Sequence, residues 1–360
     1  MKTAIRVDSS TVIGSGHLMR CLTLAERMRK EQNAEVHFIS RDLEGNLHEK
    51  IKEAGFFLHV LPRHALDESL TGYAAWLTVS KEQDAKETLD CVTTQFQRLN
   101  WLIVDSYALD EVWEKMLRPY VGKIVVIDDL ANRKHDCDAL LDQNFYLDME
   151  HRYDGLVPSV CKKFLGPQYA LLREEFYEEK KHARERTGKV KNILVFYGGS
   201  DSTNETMKAL RALVRMERKD IAVQVVVGGG NPHKNEIKTF CKRYPWMEYA
   251  CQVNNMAERM NIADLSIGAG GTTTWERCFL GLPAIVTAVA ENQEDGCLIC
   301  ASKGLFAYLG RWAEVDEEII IKALQKAFLA KELQDMQQNC RLGQVAESSS
   351  LFFRLFGEEV

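Results

Sequence analysis

The stretch WLIVD (Trp101–Asp105) is an almost unbroken apolar run that ends in a carboxylate, and KIVVIDD (Lys123–Asp129) repeats the pattern soon after. Strands apolar on both faces belong to parallel sheets covered by helices on both sides. Working outward, AIRVD (Ala4–Asp8) opens the chain in the same way, and EVHFIS (Glu35–Ser40) and FFLHVL (Phe56–Leu61) follow. Between them HLMRCLTLAERMRKE sets Leu18, Cys21, Leu22, Ala25 and Met28 on one face at helical spacing. NLHEKIKEAG and KEQDAKETLDCVTTQFQRL read as two more helices, the second with Ser80 as N-cap and Gln83 at its third position. Strands and helices in alternation predict an α/β fold with a doubly wound parallel sheet.

The same grammar restarts later. After an irregular stretch over 146–187, KNILVFYGGS (Lys191–Ser200), VQVVVGGG (Val223–Gly230), DLSIGAGG (Asp264–Gly271) and LPAIVTAV (Leu282–Val289) read as strands, with helices such as TNETMKALRALVRM between them. The 360 residues therefore divide into two Rossmann-like domains, expected at 1–160 and 161–340. A closing segment, 341–360, is expected to be a helix that crosses back to the first domain. Two such domains predict a ligand in a cleft between them, beyond the carboxyl ends of the strands.

Composition narrows the function. A net charge of −6 argues against a general nucleic-acid binder and against a membrane-surface protein. No apolar run reaches the roughly 18 residues of a membrane span. The start, MKTAIRVDSS, lacks the apolar core and cleavage site of a signal peptide. The ten cysteines then read as reduced thiols, and the expected location is cytoplasmic. Cys297 and Cys300 have C-x-x-C spacing, but no second pair completes a zinc site, so one helix face accounts for them.

Glycine turns sit at the strand ends: Gly14-Ser15-Gly16, Gly198-Gly199-Ser200, Gly228-Gly229-Gly230 and Gly268-Ala269-Gly270-Gly271. GAGGTTTWE is the sharpest phosphate candidate. Its glycines let backbone N–H groups approach an anion, the following helix start adds unpaired donors, and Thr272, Thr273 and Thr274 add hydroxyls. The plainer reading, a tight strand-to-helix turn, needs fewer glycines. No G-K-[ST] follows, so this is not a P-loop, and the third glycine of a dinucleotide fingerprint is missing. Glu276 either accepts from a ribose diol or complements the helix dipole, and spacing leaves both open.

His17 follows Gly14-Ser15-Gly16 at the carboxyl end of the first strand. A helix start favours its neutral form, which suits a general base; a cap or core histidine is the plainer alternative. Asp8, ending the same strand, is the candidate for orienting the ring or the backbone beside it. IDDLANRKHDCD (Ile127–Asp138) crowds its acids with Arg133 and Lys134 and offers no ligand spacing, so no metal is expected. Glu291, Asn292 and Gln293 suit sugar hydroxyls, though any polar loop resembles them.

Several of these segments together look familiar. IRVDSSTVIGSGHLMRCLTLA, YAAWLTVSKEQDAKET, LIVDSYALDEVWE, IDDLANRKHDCDALLDQN, YALLREEF and IGAGGTTTWERCFLGLPAIVTAVAENQ resemble, in order from Ile5 to Gln293, the UDP-sugar hydrolases of pseudaminic acid biosynthesis. The last segment alone also resembles the UDP-GlcNAc-binding half of a GT-B peptidoglycan transferase. The resemblance implies a GT-B fold, UDP held mainly by the second domain, and His17 as the base that activates water. It implies that Glu276 holds the ribose and that Glu291, Asn292 and Gln293 lie near the sugar. The implied reaction frees the diacetamido sugar from UDP-2,4-diacetamido-2,4,6-trideoxy-β-L-altropyranose by water attack at the anomeric carbon. Inversion is expected, with neither metal nor cofactor, and the product would serve flagellin or surface glycans. The expected partners are the UDP-sugar and UDP; nucleic acid and membrane insertion are not expected. Two other classes are weighed: a GT-B glycosyltransferase with a UDP-N-acetylhexosamine donor, and a nucleotide-sugar-binding protein without turnover. The tail beyond Leu305 matches no motif.

Overall fold

The computed structural model describes residues 1–342, so the helix expected over 341–360 lies, but for its first two residues, outside what is described. Contacts divide the chain into two compact units. Among the described residues, the first holds Met1–Asn144 and Asp148–Leu171, the second Phe145–Leu147 and residues 172–342.

In the first unit the strands are β1 (Lys2–Val7), β2 (Glu35–Arg41), β3 (Phe57–Leu61), β4 (Leu99–Asp105), β5 (Val121–Ile127), β6 (Ala139–Asp142) and β7 (Lys162–Leu165). They form one parallel sheet in the order β3-β2-β1-β4-β5-β6-β7. Alternate residues feed two apolar layers: Ile103, Val125 and Ile127 enter one, Leu102, Val104, Ile124 and Val126 the other. That is why β4 and β5 read as continuous apolar runs rather than alternating ones. Leu18, Cys21, Leu22, Ala25 and Met28 are all buried along the Gly16–Gln32 helix, as their spacing predicts. Ser80 caps the Lys81–Gln95 helix, its hydroxyl accepting from Gln83 N at 3.1 Å.

The second unit holds β8 (Asn192–Phe196), β9 (Ala222–Val227), β10 (Met247–Cys251), β11 (Leu265–Ala269), β12 (Ala284–Ala288) and β13 (Ala307–Arg311). They too form a parallel sheet, in the order β10-β9-β8-β11-β12-β13. Sequence reading misses β6, β7, β10 and β13. These are four or five residues long and, unlike the similarly short β8 and β12, each carries a charged residue that interrupts the apolar run: ALLD, KKFL, MEYAC and AYLGR.

Both sheets reverse their winding at the centre. β1 neighbours β4, and β8 neighbours β11, although each pair is distant in sequence. Ligands of open α/β sheets bind at such switch points, outside the carboxyl ends of the strands.

Candidate functional site

At the first switch point the parallel register sets Asp105, the last residue of β4, across from Val7 of β1. The chain leaves β1 through the Ser10–Gly14 loop, where Gly14 N donates to Ser10 O at 2.9 Å. Ser10 Oγ accepts from Ile13 N at 2.9 Å. Gly14 has φ of +79°, a conformation that favours glycine. Ser15 is the N-cap residue, Gly16 the first residue of the helix, and His17 follows on its inner face.

His17 Nδ1 lies 2.6 Å from Asp105 Oδ1. Arg20, one turn on, donates to the same carboxylate through Nε and Nη2 at 2.6 and 2.7 Å. Its Nη1 reaches Asp129 Oδ2 at 3.1 Å. Asp129 also accepts from the Tyr107 hydroxyl and from Asn144 Nδ2 at 3.3 Å. Burial opposes ionisation of Asp105, but the charges of Arg20 and His17 and their hydrogen bonds outweigh it and hold the carboxyl well below the usual range. With Asp105 ionised, the 2.6 Å contact needs its proton on Nδ1. Nε2 is then the ring nitrogen left open, and no described residue hydrogen-bonds it. A ring fixed at Nδ1 by a carboxylate and open at Nε2 is the orientation of a general base.

Aromatic rings wall the imidazole. Tyr107 meets it edge-on at 4.5 Å and Trp76 at 5.9 Å between centroids. Tyr73 in turn packs against both, at 5.0 and 4.9 Å.

Asp8 is not part of this constellation. It accepts from Arg6 Nη1 at 2.6 Å and from Arg41 N at 2.7 Å, and so steadies neighbouring backbone rather than the His17 ring. Arg6 and Arg41 both reach Asp84 Oδ2 at 2.7 Å. This buried network ties β1 and β2 to the Lys81–Gln95 helix. The acids of IDDLANRKHDCD are engaged with cations: Arg133 meets Asp128 at 2.7 Å, and Arg118 meets Asp136 and Asp138 at 3.0 and 2.5 Å. Among the described residues no group of three His, Cys, Asp or Glu is placed to hold a metal.

At the second unit's switch point, β11 runs into Gly270, Gly271 and Thr272, and Thr273 opens the Thr273–Phe279 helix. Gln293 joins this turn: its Oε1 and Nε2 lie 3.8 and 3.6 Å from where side chains on Gly270 and Gly271 would begin. Gln293 Oε1 also accepts from Val289 N at 3.0 Å. Glu291 and Asn292 share its short 3₁₀ turn and are exposed. Glu276 Oε1 accepts from Arg173 Nη2 at 3.1 Å, while Oε2 takes no hydrogen bond from the described residues. Gly199 and Ser200 form the turn after β8, and Gly199 O stands only 2.1 Å from where a Cβ on Gly228 would lie, so the turns after β8 and β9 press together.

The glycines of the β11 turn are not equivalent. A Cβ at Gly270 would meet Cys297 Sγ at 2.1 Å, inside the packed interior, whereas one at Gly271 meets nothing closer than 3.6 Å. Gly270 is there for packing. Gly270→Val is therefore expected to lower stability by about 1–3 kcal/mol, the scale of overpacking, and Gly271→Ala to leave the melting temperature nearly unchanged. Thermal denaturation of both variants checks this.

Sequence reading singles out His17 but not Asp105, Arg20, Asp129 or the Tyr73–Trp76–Tyr107 wall. The signal for Asp105 is present, a carboxylate closing an apolar strand, yet its partner is set only by strand order.

The two doubly wound units define the GT-B fold. Acinetobacter baumannii MurG has the same fold, with a TM-score of 0.65 at 12% identity over 99% of both chains. Residues 192–351 match the model of the glycosyltransferase family 28 C-terminal domain. A Campylobacter jejuni protein named UDP-2,4-diacetamido-2,4,6-trideoxy-beta-L-altropyranose hydrolase is 28% identical over 305 residues, 84% of this chain and 97% of its own. The Methanocaldococcus jannaschii protein described as uncharacterized protein MJ1062 is 29% identical over 302 residues, 82% of this chain, and the match spans 57% of that longer relative. The resemblance carried by the motifs thus holds across most of the chain.

Proposed function

We propose that this chain is a UDP-sugar hydrolase that releases UDP from UDP-2,4-diacetamido-2,4,6-trideoxy-β-L-altropyranose or a close diacetamido sugar. The observation that carries the reading is the His17–Asp105 pair, held at 2.6 Å, with Nε2 open. The relation to the Campylobacter hydrolase over 84% of this chain supports the substrate class. In this reading Asp105 and Arg20 hold the ring, and Nε2 takes a proton from water as its oxygen attacks the anomeric carbon. The Gly268–Gly271 turn receives the diphosphate, Glu276 Oε2 the ribose, and Gln293 the sugar. Gly14, Ser15 and Gly16 aim His17, and Gly199, Ser200, Thr272 and Thr273 line the nucleotide. Displacement opposite the leaving UDP inverts the anomeric centre, through a transition state of oxocarbenium character.

Attack at phosphorus normally draws on a metal or a cationic clamp. In this reading the His17–Asp105 pair supplies a base for water and the backbone N–H groups of the glycine turn receive the leaving diphosphate, which suits departure from carbon. Reaction in ¹⁸O-labelled water is expected to put label in the free sugar and none in UDP. The first-formed anomer, followed by NMR, should be inverted, and activity should survive EDTA. Label in UDP, or activity abolished by chelator and restored by Mg²⁺, overturns the mechanism. UDP release that requires an acceptor would make the chain a transferase, and binding without release would make it a nucleotide-sugar-binding protein.

A further inference from the structure

Beneath the Gly268–Gly271 turn lies a charge without a counter-ion. Arg277 is 1% exposed. Its Nη2 donates to Ala269 O at 2.8 Å and to Thr274 Oγ1 at 3.1 Å, which ties the end of β11 to the helix after the turn. Its Nε and Nη1 meet no acceptor, and no carboxylate pairs with it among the described residues. Nη1 lies 3.2 Å from where a Cβ on Gly268 would be, so the unpaired edge lies against the last residues of β11, just before the turn. Burial opposes the charged form and outweighs the neighbouring thiols and the Glu276 carboxylate, which act the other way, so the guanidinium is held below its usual range.

A guanidinium does not shed its proton inside a protein. The cost of burying it unpaired is therefore fully present in the empty fold, and an apolar side chain of similar volume would be the more stable choice. The fold recovers that cost only when an anion comes near. The same buried charge, shielded from solvent, acts over a longer distance than a surface lysine could.

We propose that Arg277 is a positioning residue for the nucleotide's diphosphate. It braces the Gly268–Gly271 turn from behind and holds beneath it a positive charge whose counter-ion is the diphosphate itself. The inference rests on the reading that this turn receives a UDP-sugar. Arg277 touches no substrate atom. It acts through the turn and through its field, which also favours the charge that develops on departing UDP.

The test compares binding of UDP and of uridine by calorimetry in the wild type, Arg277→Gln and Arg277→Lys. Glutamine keeps a donor for Ala269 O but no charge; lysine keeps the charge. In Arg277→Gln the preference for UDP over uridine is expected to fall by at least about tenfold while uridine affinity stays within about twofold. Arg277→Lys should keep most of that preference. An unchanged preference in Arg277→Gln overturns the proposal, as does an equal loss of uridine and UDP, which is the mark of a merely structural role. Should Arg277→Gln fail to fold, the wild type still decides. A buried charge is little screened, so the preference should change by less than about threefold between 0.05 and 0.5 M NaCl. Its collapse in salt would assign the preference to surface cations and overturn the proposal. Glu276→Ala separates the two levels. It should weaken uridine and UDP alike if the ribose reading holds. A wild type that gains nothing from the diphosphate sinks both the reading and the inference, whereas a gain retained in Arg277→Gln sinks the inference alone.

Discussion

Turnover in His17→Leu is expected to fall by at least about 10²-fold, the usual scale for a lost general base. KM should hold, because the groups proposed to bind UDP belong to the second unit. The imidazole is positioned for one task. Its Nδ1 is bound to Asp105 at 2.6 Å, its faces are walled by Tyr107 and Trp76, and only Nε2 is open. Leucine fills a similar apolar volume, so a loss of kcat without a loss of melting temperature separates chemistry from folding. Steady-state kinetics with the UDP-sugar provides the check, and near wild-type kcat in this variant would remove His17 from the reaction.

Asp105→Asn is expected to lose both catalysis and stability. An amide in place of the carboxylate no longer demands a proton on Nδ1, so the ring is free to adopt the wrong tautomer. The same exchange in a serine-protease triad lowers kcat about 10⁴-fold, and a loss of about 10²–10⁴-fold is expected here. Arg20 would at the same time lose one of its two acceptors on residue 105 and the negative charge opposite it, while staying buried. Breaking such a pair costs about 3–5 kcal/mol. The pH dependence fixes the sign. The Asp105 carboxyl is held below its unfolded value because Arg20 and His17 outweigh the effect of burial. Its contribution is therefore fully present above the unfolded pKa of about 3.9 and is lost as pH falls through the folded value. The stability gap between wild type and Asp105→Asn, read from urea denaturation, should be wide at neutral pH and narrow below about pH 4. A gap that does not narrow on acidification would show that the ionised carboxylate is not its source.

Much of this molecule is legible in one dimension because the physics involved is local. A strand buried on both faces must be apolar at every position, so WLIVD and KIVVIDD announce a covered parallel sheet before any partner strand is known. Leu18, Cys21, Leu22, Ala25 and Met28 share a helix face by angular repeat alone, and Ser80 caps its helix through a bond only three residues long. Gly14-Ser15-Gly16-His17 and the Gly268–Gly271 turn mark the mouths of their strands because glycine backbones permit turns that other residues resist. What tertiary structure alone decides is who meets whom. Asp8 lies nine residues from His17 and looks like its partner, but the strand is extended there and carries the carboxylate to Arg6 and Arg41. Asp105 lies 88 residues away, and it becomes the partner because β4 is inserted beside β1 in parallel register. Gly270 reads as a cradle for phosphate, yet the packing of Cys297 against it shows that its missing side chain makes room for the core. Nothing in the sequence marks Arg277, and only the packing of the second unit around it leaves it buried with Nε and Nη1 unpaired. Sequence spacing sets local conformation through short-range sterics and hydrogen bonds. Strand order, burial and charge pairing depend on segments far apart in the chain, and no single segment encodes them.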